Sequence, residues 1–255
     1  MVNIFLNGCC GRMGRAIACL CKDSDDYKIV AGCDMMPADD LKFPVYKDPN
    51  ESAEDFDVII DFSNAKAVPA ILAFAVARKK PLICCTTALD EETVASLLKA
   101  SEEIAVFKSA NMSLGINIML ELIKKAASTL YPDYDIEILE AHHNRKLDAP
   151  SGTAMMLADA VIETVPDEME LIYDRHSVNE ARKPNQIGMS SIRGGNIVGE
   201  HSIFFISDEE TVTISHSAKS RDVFAKGALT AAGFMKGKEK GYYNMSDVIA
   251  ANNDQ

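Results

Sequence analysis

The densest group of reactive side chains lies in the segment 140–154, which reads E-A-H-H-N-R-K-L-D-A-P-S-G-T-A. Two imidazoles, a guanidinium and an ammonium fall within five residues, at His142, His143, Arg145 and Lys146. In a chain whose net charge is −12, this is a local cationic spot. Such a spot focuses the electric field on an anionic substrate.

The same segment ends in a second feature suited to anions. Ser151-Gly152-Thr153 opens a predicted helix, and the N–H groups of a helix N-terminus attract carboxylates. Each part alone has an ordinary structural explanation, because histidines often pack in cores, lysines are usually solvated and Ser-Gly-Thr often caps a helix. Their combination in one loop, beside the end of a strand, favours a catalytic loop.

A glycine-rich stretch, N-G-C-C-G-R-M-G-R at 7–15, directly follows the first predicted strand. Glycine is needed where the backbone approaches a phosphate, and the next helix points its free N–H groups at the anion. The glycines at 8, 11 and 14 have the spacing G-x-x-G-x-x-G, which differs from the standard dinucleotide fingerprint. A tight strand-to-helix turn without a ligand is the alternative interpretation.

The second predicted strand favours the dinucleotide interpretation. It ends in Asp34, 20 residues beyond Gly14, where an acid can bind the ribose hydroxyls of an adenine dinucleotide. Met35 follows, so the turn lacks an adjacent arginine for a 2′-phosphate. Arg12 or Arg15 could supply that charge instead. The sequence therefore predicts NADH or NADPH as cofactor, with a modest preference for NADH.

The elements that must position these loops follow two different rhythms. Over the first 110 residues, short apolar runs alternate with helix-period segments, which is typical of a parallel sheet covered on both faces. The predicted strands there are Val2–Leu6, Tyr27–Cys33, Asp57–Phe62, Pro81–Cys85 and Ile104–Phe107. The predicted helices are Arg12–Lys22, Ala65–Arg78 and Asp90–Ala100, and Pro37–Ser52 is predicted as a loop.

After Asn111 the pattern changes to a long helix, a strand, a second helix and a group of contiguous strands. Gly194-Gly195 predicts a hairpin between two of these strands. We expect an α+β region with a mixed or antiparallel sheet. The predicted helices are 115–130, 153–164 and Val223–Lys236, and the predicted strands are 135–140, 189–193, 196–207 and 211–217.

Composition excludes several classes of function. A sequence pI near 4.9 disfavours nucleic-acid binding, which needs a basic face. Without an apolar stretch of about 18 residues or a basic leader, we expect neither a membrane span nor secretion. The seven cysteines are an odd number and contain no C-x-x-C spacing, which suits neither a disulfide framework nor a zinc site. We therefore predict that they are free thiols, that the protein has no metal site and that it is cytoplasmic.

The two chemical stretches, together with I-G-M at 187–189, R-G-G-N-I-V-G-E-H at 193–201 and G-Y-Y-N-M at 241–245, closely resemble the dihydrodipicolinate reductase family. The resemblance covers essentially the whole chain, and E-x-H-H-x-x-K-x-D-A-P-S-G-T-A is highly specific. It implies NAD(P)H-dependent reduction of 4-hydroxy-tetrahydrodipicolinate to tetrahydrodipicolinate, in the diaminopimelate route to lysine.

The resemblance also implies residue roles. The glycine loop would hold the pyrophosphate, Asp34 the ribose, and two later elements the nicotinamide. The implied cofactor-binding residues are Gly8, Cys9, Cys10, Gly11, Arg12, Met13, Gly14, Asp34, Cys85, Thr86, Thr87, Ser109, Ala110, Asn111 and Met112. Cys85 stands where the family has glycine. Proton transfer falls to His142 and Lys146, and the substrate carboxylates to His143, Ser151, Gly152 and Thr153.

The family layout implies a Rossmann-type dinucleotide-binding domain at 1–112 and 222–255. It also implies a substrate-binding and oligomerisation domain at 113–221 and a homotetramer. Two other functions stay open from the residues alone. One is a two-domain dehydrogenase acting on another amino-acid-derived imine or aldehyde. The other is a dinucleotide-sensing module without catalysis, against which the intact 140–154 loop argues.

Overall fold

The computed structural model describes residues 1–36, 40–177 and 179–253. The chain forms two compact units, Met1–Leu114 with Arg221–Gln255, and Gly115–Ser220. The sequence-based boundaries lie within two residues of these limits. Part of the predicted loop Pro37–Ser52, residues 37–39, lies outside the described residues.

The first unit is built on a seven-stranded parallel sheet, and this confirms the α/β prediction. Its strands are β1 (Val2–Asn7), β2 (Tyr27–Cys33), β3 (Val45–Tyr46), β4 (Val58–Asp61), β5 (Leu82–Cys84), β6 (Ala105–Lys108) and β12 (Gly241–Tyr243). Their order across the sheet is β12-β6-β5-β4-β1-β2-β3. The helices of this unit are α1 (Arg12–Cys21), α2 (Val68–Arg78), α3 (Glu91–Ala100), α6 (Asp222–Met235) and α7 (Met245–Asn253).

Both faces of this sheet are buried, because successive side chains along a strand point to opposite sides. On β1, Ile4 and Leu6 join a core with α1 and α6, whereas Phe5 joins a second core with α2 and α3. The near-continuous apolar strands seen in the sequence are explained by this double burial. Because all seven strands are parallel, their carboxyl ends lie at the same edge of the sheet.

The second unit places two helices on a five-stranded mixed sheet of order β11-β10-β7-β9-β8. Its strands are β7 (Asp135–His142), β8 (Glu170–Ile172), β9 (Gln186–Arg193), β10 (Gly199–Ile206) and β11 (Thr211–Ala218). The helices are α4 (Leu114–Leu130), whose first residue still belongs to the first unit, and α5 (Gly152–Ile162). The central strand β7 pairs parallel with β9 and antiparallel with β10.

The predicted hairpin at Gly194-Gly195 is wrong. β9 and β10 lie on opposite sides of β7, so the chain between them crosses the end of β7. The Gly194 N–H donates to the His142 carbonyl, 2.9 Å away, and the Asn144 N–H donates to the Gly195 carbonyl. Two glycines permit a turn but do not specify which strands it joins.

The short strands β3, β8 and β12 and the helix α7 were not predicted from the sequence. Each of the three strands has two or three residues, too few to display a period. No helix in the described part of the chain combines the length and the apolar character needed to cross a membrane.

Helix α6 returns to the first unit from the far end of the chain and packs tightly on the segment after β6. A Cβ at Gly227 would lie 1.7 Å from the Met112 carbonyl oxygen. Because that neighbour is backbone, the clash can be relieved only by moving the helix or the segment. Glycine is therefore required here for close approach.

We predict that Gly227→Ala lowers the free energy of unfolding by about 2 kcal/mol, a typical cost of overpacking. Gly233→Ala on the same helix is the control, since the nearest atoms to its Cβ belong to the Tyr27 side chain, with the hydroxyl oxygen at 3.1 Å. Urea unfolding of both variants measures the difference. Equal stability of Gly227→Ala and the parent chain would contradict this packing.

Candidate active site

In the first unit, the glycine loop is shaped for close contact between backbone and helix. The Gly8 N–H donates to the Cys33 carbonyl at 2.9 Å, and the Gly11 N–H donates to the Gly8 carbonyl at 3.2 Å. A Cβ on Gly14 would lie 2.3 Å from the Gly8 oxygen. The N-cap of α1 is Gly11, which has no side chain to cover the first-turn amides. Those amides fit the pyrophosphate of a dinucleotide.

Asp34 lies directly beside this loop. Its carboxylate accepts the Cys10 N–H at 2.8 Å and the Met36 N–H at 3.0 Å. The acid is thus held at the end of β2 with its orientation fixed. Each carboxylate oxygen has a second lone pair, so both can still accept a ribose hydroxyl.

The nearby cation Arg15 is already paired. Its guanidinium forms an ion pair with Asp40 and donates from Nε to the Cys10 carbonyl at 3.0 Å. The Arg15 guanidinium lowers the pKa of the Asp40 carboxyl. The charge that could attract a 2′-phosphate is therefore partly neutralised by Asp40.

A cavity of about 210 Å³ lies at the carboxyl edge of the same sheet. Most of its lining consists of residues singled out from the sequence, with two additional phenylalanines. The lining residues are Met13, Phe62, Cys85, Thr87, Ser109, Ala110, Asn111, Met112 and Phe224. Burial raises the pKa of the Cys85 thiol. The cavity is mainly apolar with a few amide and hydroxyl groups, which suits a nicotinamide ring.

The strand ends around this cavity are tied together by Asp61, which is completely buried at the end of β4. One carboxylate oxygen accepts from Asn7 Nδ2 at 2.7 Å and from Ser63 Oγ at 2.6 Å. The other accepts from Thr86 Oγ1 at 2.7 Å, and Lys108 Nζ donates to the Thr86 carbonyl at 2.8 Å. Residues from β1, β4, β6 and the loop after β5 thus share one hydrogen-bond network.

In the second unit, Glu140 and His142 lie next to each other on one face at the end of β7. Glu140 is 1% exposed, and Arg193 binds both carboxylate oxygens, at 2.6 and 2.8 Å. His142 Nδ1 is 2.5 Å from Glu140 Oε2. Burial alone would raise the Glu140 pKa, but the hydrogen bonds from Arg193, His142 and Ser191 lower it to about 2.

An ionised carboxylate only accepts hydrogen bonds, so Nδ1 of His142 carries the hydrogen in this contact. The tautomer follows, because Nδ1 is occupied by Glu140 and Nε2 is the nitrogen left for chemistry. Arg193 also donates to the Asp148 carbonyl at 2.7 Å. One guanidinium therefore fixes both the acid behind His142 and the loop that follows.

A second buried imidazole, His201, lies at 5.1 Å from the His142 ring, measured between centroids. Burial and the neighbouring His142 lower its pKa to about 4, so it is neutral near pH 7. Its Nε2 is 3.1 Å from Ser151 Oγ, and this oxygen also accepts the Ala154 N–H as the N-cap of α5. The Ser151 hydroxyl is thus engaged within the protein.

The other residues of this unit that the sequence singled out lie close to His142 and Ser151. Lys146 Nζ forms an ion pair with Asp148 at 2.8 Å, and its charge contributes to the lowered pKa of His201. Gly152 and Thr153 form the first turn of α5, where the Gly152 position is exposed and open. His143 follows His142 at the end of β7, and its carbonyl accepts the Lys146 N–H.

Sequence reasoning missed the groups that hold these residues in place. Glu140, Arg193, His201 and Asp61 were not assigned roles, although the first three lie in the motifs that carry the family resemblance. Their function depends on long-range pairs such as Glu140 with Arg193, 53 residues apart. Apolar runs ending in Asp61 and Glu140 were the available signal, since a charge at the end of a buried strand needs a partner.

A parallel nucleotide-binding sheet in one unit, and a cationic loop with a tautomer-fixed histidine in the other, define a two-domain dinucleotide-dependent oxidoreductase. Two family models match the chain: dihydrodipicolinate reductase, N-terminus, over residues 2–112, and dihydrodipicolinate reductase, C-terminus, over 115–249. The chain therefore belongs to the dihydrodipicolinate reductase family, whose members are NAD(P)H-dependent oxidoreductases.

Individual relatives agree with this assignment. The 4-hydroxy-tetrahydrodipicolinate reductase of Caldanaerobacter subterraneus is 48% identical over 249 residues, with 98% of each chain covered. That of Clostridium tetani is 46% identical, covering 98% of this chain and 97% of the relative.

Solved structures show the same fold at lower identity. A dipicolinate-bound dihydrodipicolinate reductase from Paenisporosarcina sp. TG-14 superposes with a TM-score of 0.79 at 20% identity, covering 96% and 97% of the two chains. A myo-inositol dehydrogenase from Corynebacterium glutamicum gives 0.61 at 15% identity, with 99% and 94% covered.

The Glu140 contacts predict a specific pH dependence of stability. Its folded pKa of about 2 lies below the reference value of 4.5, so the stabilisation is present above pH 4.5 and lost as pH falls towards 2. The shift corresponds to about 3 kcal/mol. In Glu140→Gln we expect lower stability at pH 6 and a gap to the parent chain that narrows with acidification.

Urea unfolding from pH 6 downwards measures this gap. Glu163→Gln is the control, because Glu163 is an exposed partner of Lys124 and such pairs contribute little. A gap between Glu140→Gln and the parent chain that stays constant with pH would show that Glu140 is not held as an ionised group.

Proposed function

We propose that this chain reduces 4-hydroxy-tetrahydrodipicolinate to tetrahydrodipicolinate with NADH or NADPH, in the diaminopimelate route to lysine. The observation that carries the proposal is the loop 140–154, in which a histidine of fixed tautomer, a lysine and a helix N-terminus lie together. Loss of the C4 hydroxyl as water turns this substrate into a dianionic, conjugated imine, which matches these groups because it needs both carboxylate binding and a proton. Hydride then adds at C4 and a proton follows, so the net reaction removes one water and adds one hydride and one proton.

The substrate carboxylates are assigned to His143, Ser151, Gly152 and Thr153. The open first turn of α5 supports the assignment of Gly152 and Thr153, because its amides and dipole favour an anion. Ser151 contributes through its position as N-cap, since its hydroxyl already contacts Ala154 and His201. The backbone N–H groups at the start of α5 would thus be the main donors to a dicarboxylate, and the side-chain charges would add to them.

His142 and Lys146 are assigned to charge stabilisation and protonation. After hydride addition at C4, electron density moves to the neighbouring carbon and the nitrogen, and a proton must follow. Glu140 holds His142 through Nδ1, so Nε2 is the atom to which we assign the proton transfer. The Lys146 ammonium can stabilise the developing charge once substrate competes with Asp148 for it.

The first unit fits the dinucleotide through features of the chain itself. A Cβ on Gly14 would clash with the Gly8 carbonyl, so glycine is needed for the tight turn from β1 into α1, and Gly11 leaves the first-turn amides of α1 uncovered. We assign the pyrophosphate to the 8–14 loop, the ribose to Asp34, and the nicotinamide to the cavity with Cys85, Thr86, Thr87 and residues 109–112. When bound, the nicotinamide supplies the hydride.

A preference for NADH is part of the proposal. Met35 and Met36 follow Asp34 and are 74% and 65% exposed, so they offer no charge to a 2′-phosphate. Arg15 is paired with Asp40. We further propose a cytoplasmic homotetramer that acts on a small molecule and binds neither nucleic acid nor membrane.

The assay that tests this function follows NADH and NADPH oxidation in the presence of the condensation product of pyruvate and aspartate semialdehyde. We expect oxidation only with this substrate, faster with NADH at limiting cofactor, and competitive inhibition by dipicolinate. Oxidation with other imines or aldehydes instead would favour a different two-domain dehydrogenase. Nucleotide binding without any oxidation would favour the sensing module.

Lys146→Ala should lower kcat by about 100-fold or more, the usual contribution of a positioned acid or charge. The affinity for NADH, measured by fluorescence titration, should hardly change. Lys124→Ala is the control, since Lys124 also forms an ion pair in this unit, with Glu163. Unchanged turnover of a folded Lys146→Ala protein would remove Lys146 from the mechanism.

Asp40→Asn tests the nucleotide preference. Release of Arg15 from its ion pair makes a guanidinium available to a 2′-phosphate, so the NADPH KM should fall by about fivefold, as expected for one exposed charge pair. The NADH KM should stay nearly constant. Asp55→Asn, which breaks the exposed pair with Lys80, is the control. An unchanged ratio of the two KM values would rule out this role of Arg15.

A further inference from the structure

We propose that Cys9, Cys10 and Asp34 form a binding site for a soft divalent metal ion such as Cd²⁺ or Zn²⁺, and that the bound ion excludes the dinucleotide. The ligand atoms of the three residues, two sulfurs and one carboxylate oxygen, all lie within 4.8 Å of one another. The exclusion of the dinucleotide rests on the proposed function, whereas the metal site itself does not.

The donor set and its geometry point to this class of ion. Thiolate sulfur selects soft ions, and a carboxylate oxygen completes sites for zinc and its heavier relatives. In a tetrahedral site with metal–sulfur bonds near 2.3 Å, ligand atoms lie roughly 3.5 to 4 Å apart. The separations here, at most 4.8 Å, exceed that range by about 1 Å, so the three ligand atoms lie close to coordination distance.

The loop around the cluster is already ordered by backbone hydrogen bonds. The Cys10 N–H donates to Asp34 at 2.8 Å, and Arg15 Nε donates to the Cys10 carbonyl at 3.0 Å. Asp40 partly neutralises Arg15, so the nearest cation opposes a metal ion less. Little ordering entropy remains to be lost when an ion binds, which favours affinity.

Access to the cluster comes from the side of Cys10. Cys9 is completely buried, whereas Cys10 is half-buried and Asp34 is also partly exposed. An ion can therefore meet Cys10 and Asp34 first and then Cys9. Water or a small anion would fill the fourth coordination position.

Coordination changes no oxidation state. Two S–H bonds are broken and two metal–sulfur bonds form, with both protons released to solvent. Burial raises the pKa of both thiols, so they are protonated at neutral pH. Each ion bound should then release about two protons.

Occupation of the cluster would inhibit the enzyme. Asp34 is the residue assigned to the ribose, and Cys9 and Cys10 lie within the loop assigned to the pyrophosphate. An ion held by all three replaces the ribose contact and blocks the loop amides. The spacing rules for zinc sites do not find this cluster, because its cysteines are adjacent and its acid lies 24 residues further on.

The test is a titration of the full-length protein with Cd²⁺ alone, without nucleotide or substrate. Thiolate-to-cadmium charge-transfer absorption reports sulfur ligation, and a pH indicator reports proton release. We expect one ion per chain and about two protons released. Cys10→Ser and Asp34→Asn should each weaken binding, Cys10→Ser by about 100-fold.

Cys19→Ser is the matched control, because Cys19 is an exposed thiol on α1 outside the cluster. It should bind Cd²⁺ like the parent chain. Unchanged affinity in Cys10→Ser, or loss of binding in Cys19→Ser, would overturn the site. Cys9→Ala, which keeps the core apolar, gives an independent second measurement with the same expectation as Cys10→Ser.

Displacement of NADH is measured separately by its fluorescence. We expect Cd²⁺ to raise the apparent dissociation constant of NADH in the parent chain and in Cys19→Ser, but not in Cys10→Ser. NADH affinity that is insensitive to Cd²⁺ would overturn the exclusion. An active reductase without Cys10-dependent Cd²⁺ binding would refute the metal site alone, and Cd²⁺ binding by an inactive protein would refute the reductase function alone.

Discussion

A buried carboxylate must be satisfied by hydrogen-bond donors, and this constraint organises both units of the protein. Glu140 in the second unit and Asp61 in the first are each at the end of a strand and almost inaccessible to water. Removing either charge from water is expensive unless donors surround it. Arg193 and His142 surround Glu140, and Asn7, Ser63 and Thr86 surround Asp61. The requirement to satisfy these charges fixes the loops where chemistry is proposed.

The two networks have different consequences for function. Around Asp61, neutral hydroxyl and amide donors tie together strand ends, so the result is a rigid rim for the cavity in which we propose that the nicotinamide binds. Around Glu140, one donor is itself an imidazole, so the hydrogen bond that satisfies the buried carboxylate also selects the tautomer of His142. The protein's net charge of −12 thus conceals a cationic loop in which the buried Glu140 orients His142.

Much of the fold follows from the sequence, because long apolar strands alternating with helices leave few arrangements other than a parallel sheet. The wrong and missing predictions have a physical cause. Gly194-Gly195 looked like a hairpin, but whether β9 pairs with β10 or with β7 is decided by the sheet as a whole. Short strands such as β3 and β12 are too short to show a hydrophobic period, and their pairing depends on the sheet edges that the longer strands have already formed.

In the site, residue types identified the 140–154 loop, whereas the pairing of Glu140 with Arg193 and the contribution of Phe224 to the cavity depend on contacts that no local pattern reveals.

The central claim is that this chain transfers hydride from a reduced nicotinamide to C4 of a dicarboxylic imine and then protonates it. Reduction with NADH deuterated at C4 of its nicotinamide, on either face in turn, followed by mass spectrometry of the product, tests this directly. We expect one deuterium in tetrahydrodipicolinate, at its C4, from only one of the two labelled forms. Cofactor oxidation that leaves no deuterium in the product would contradict it.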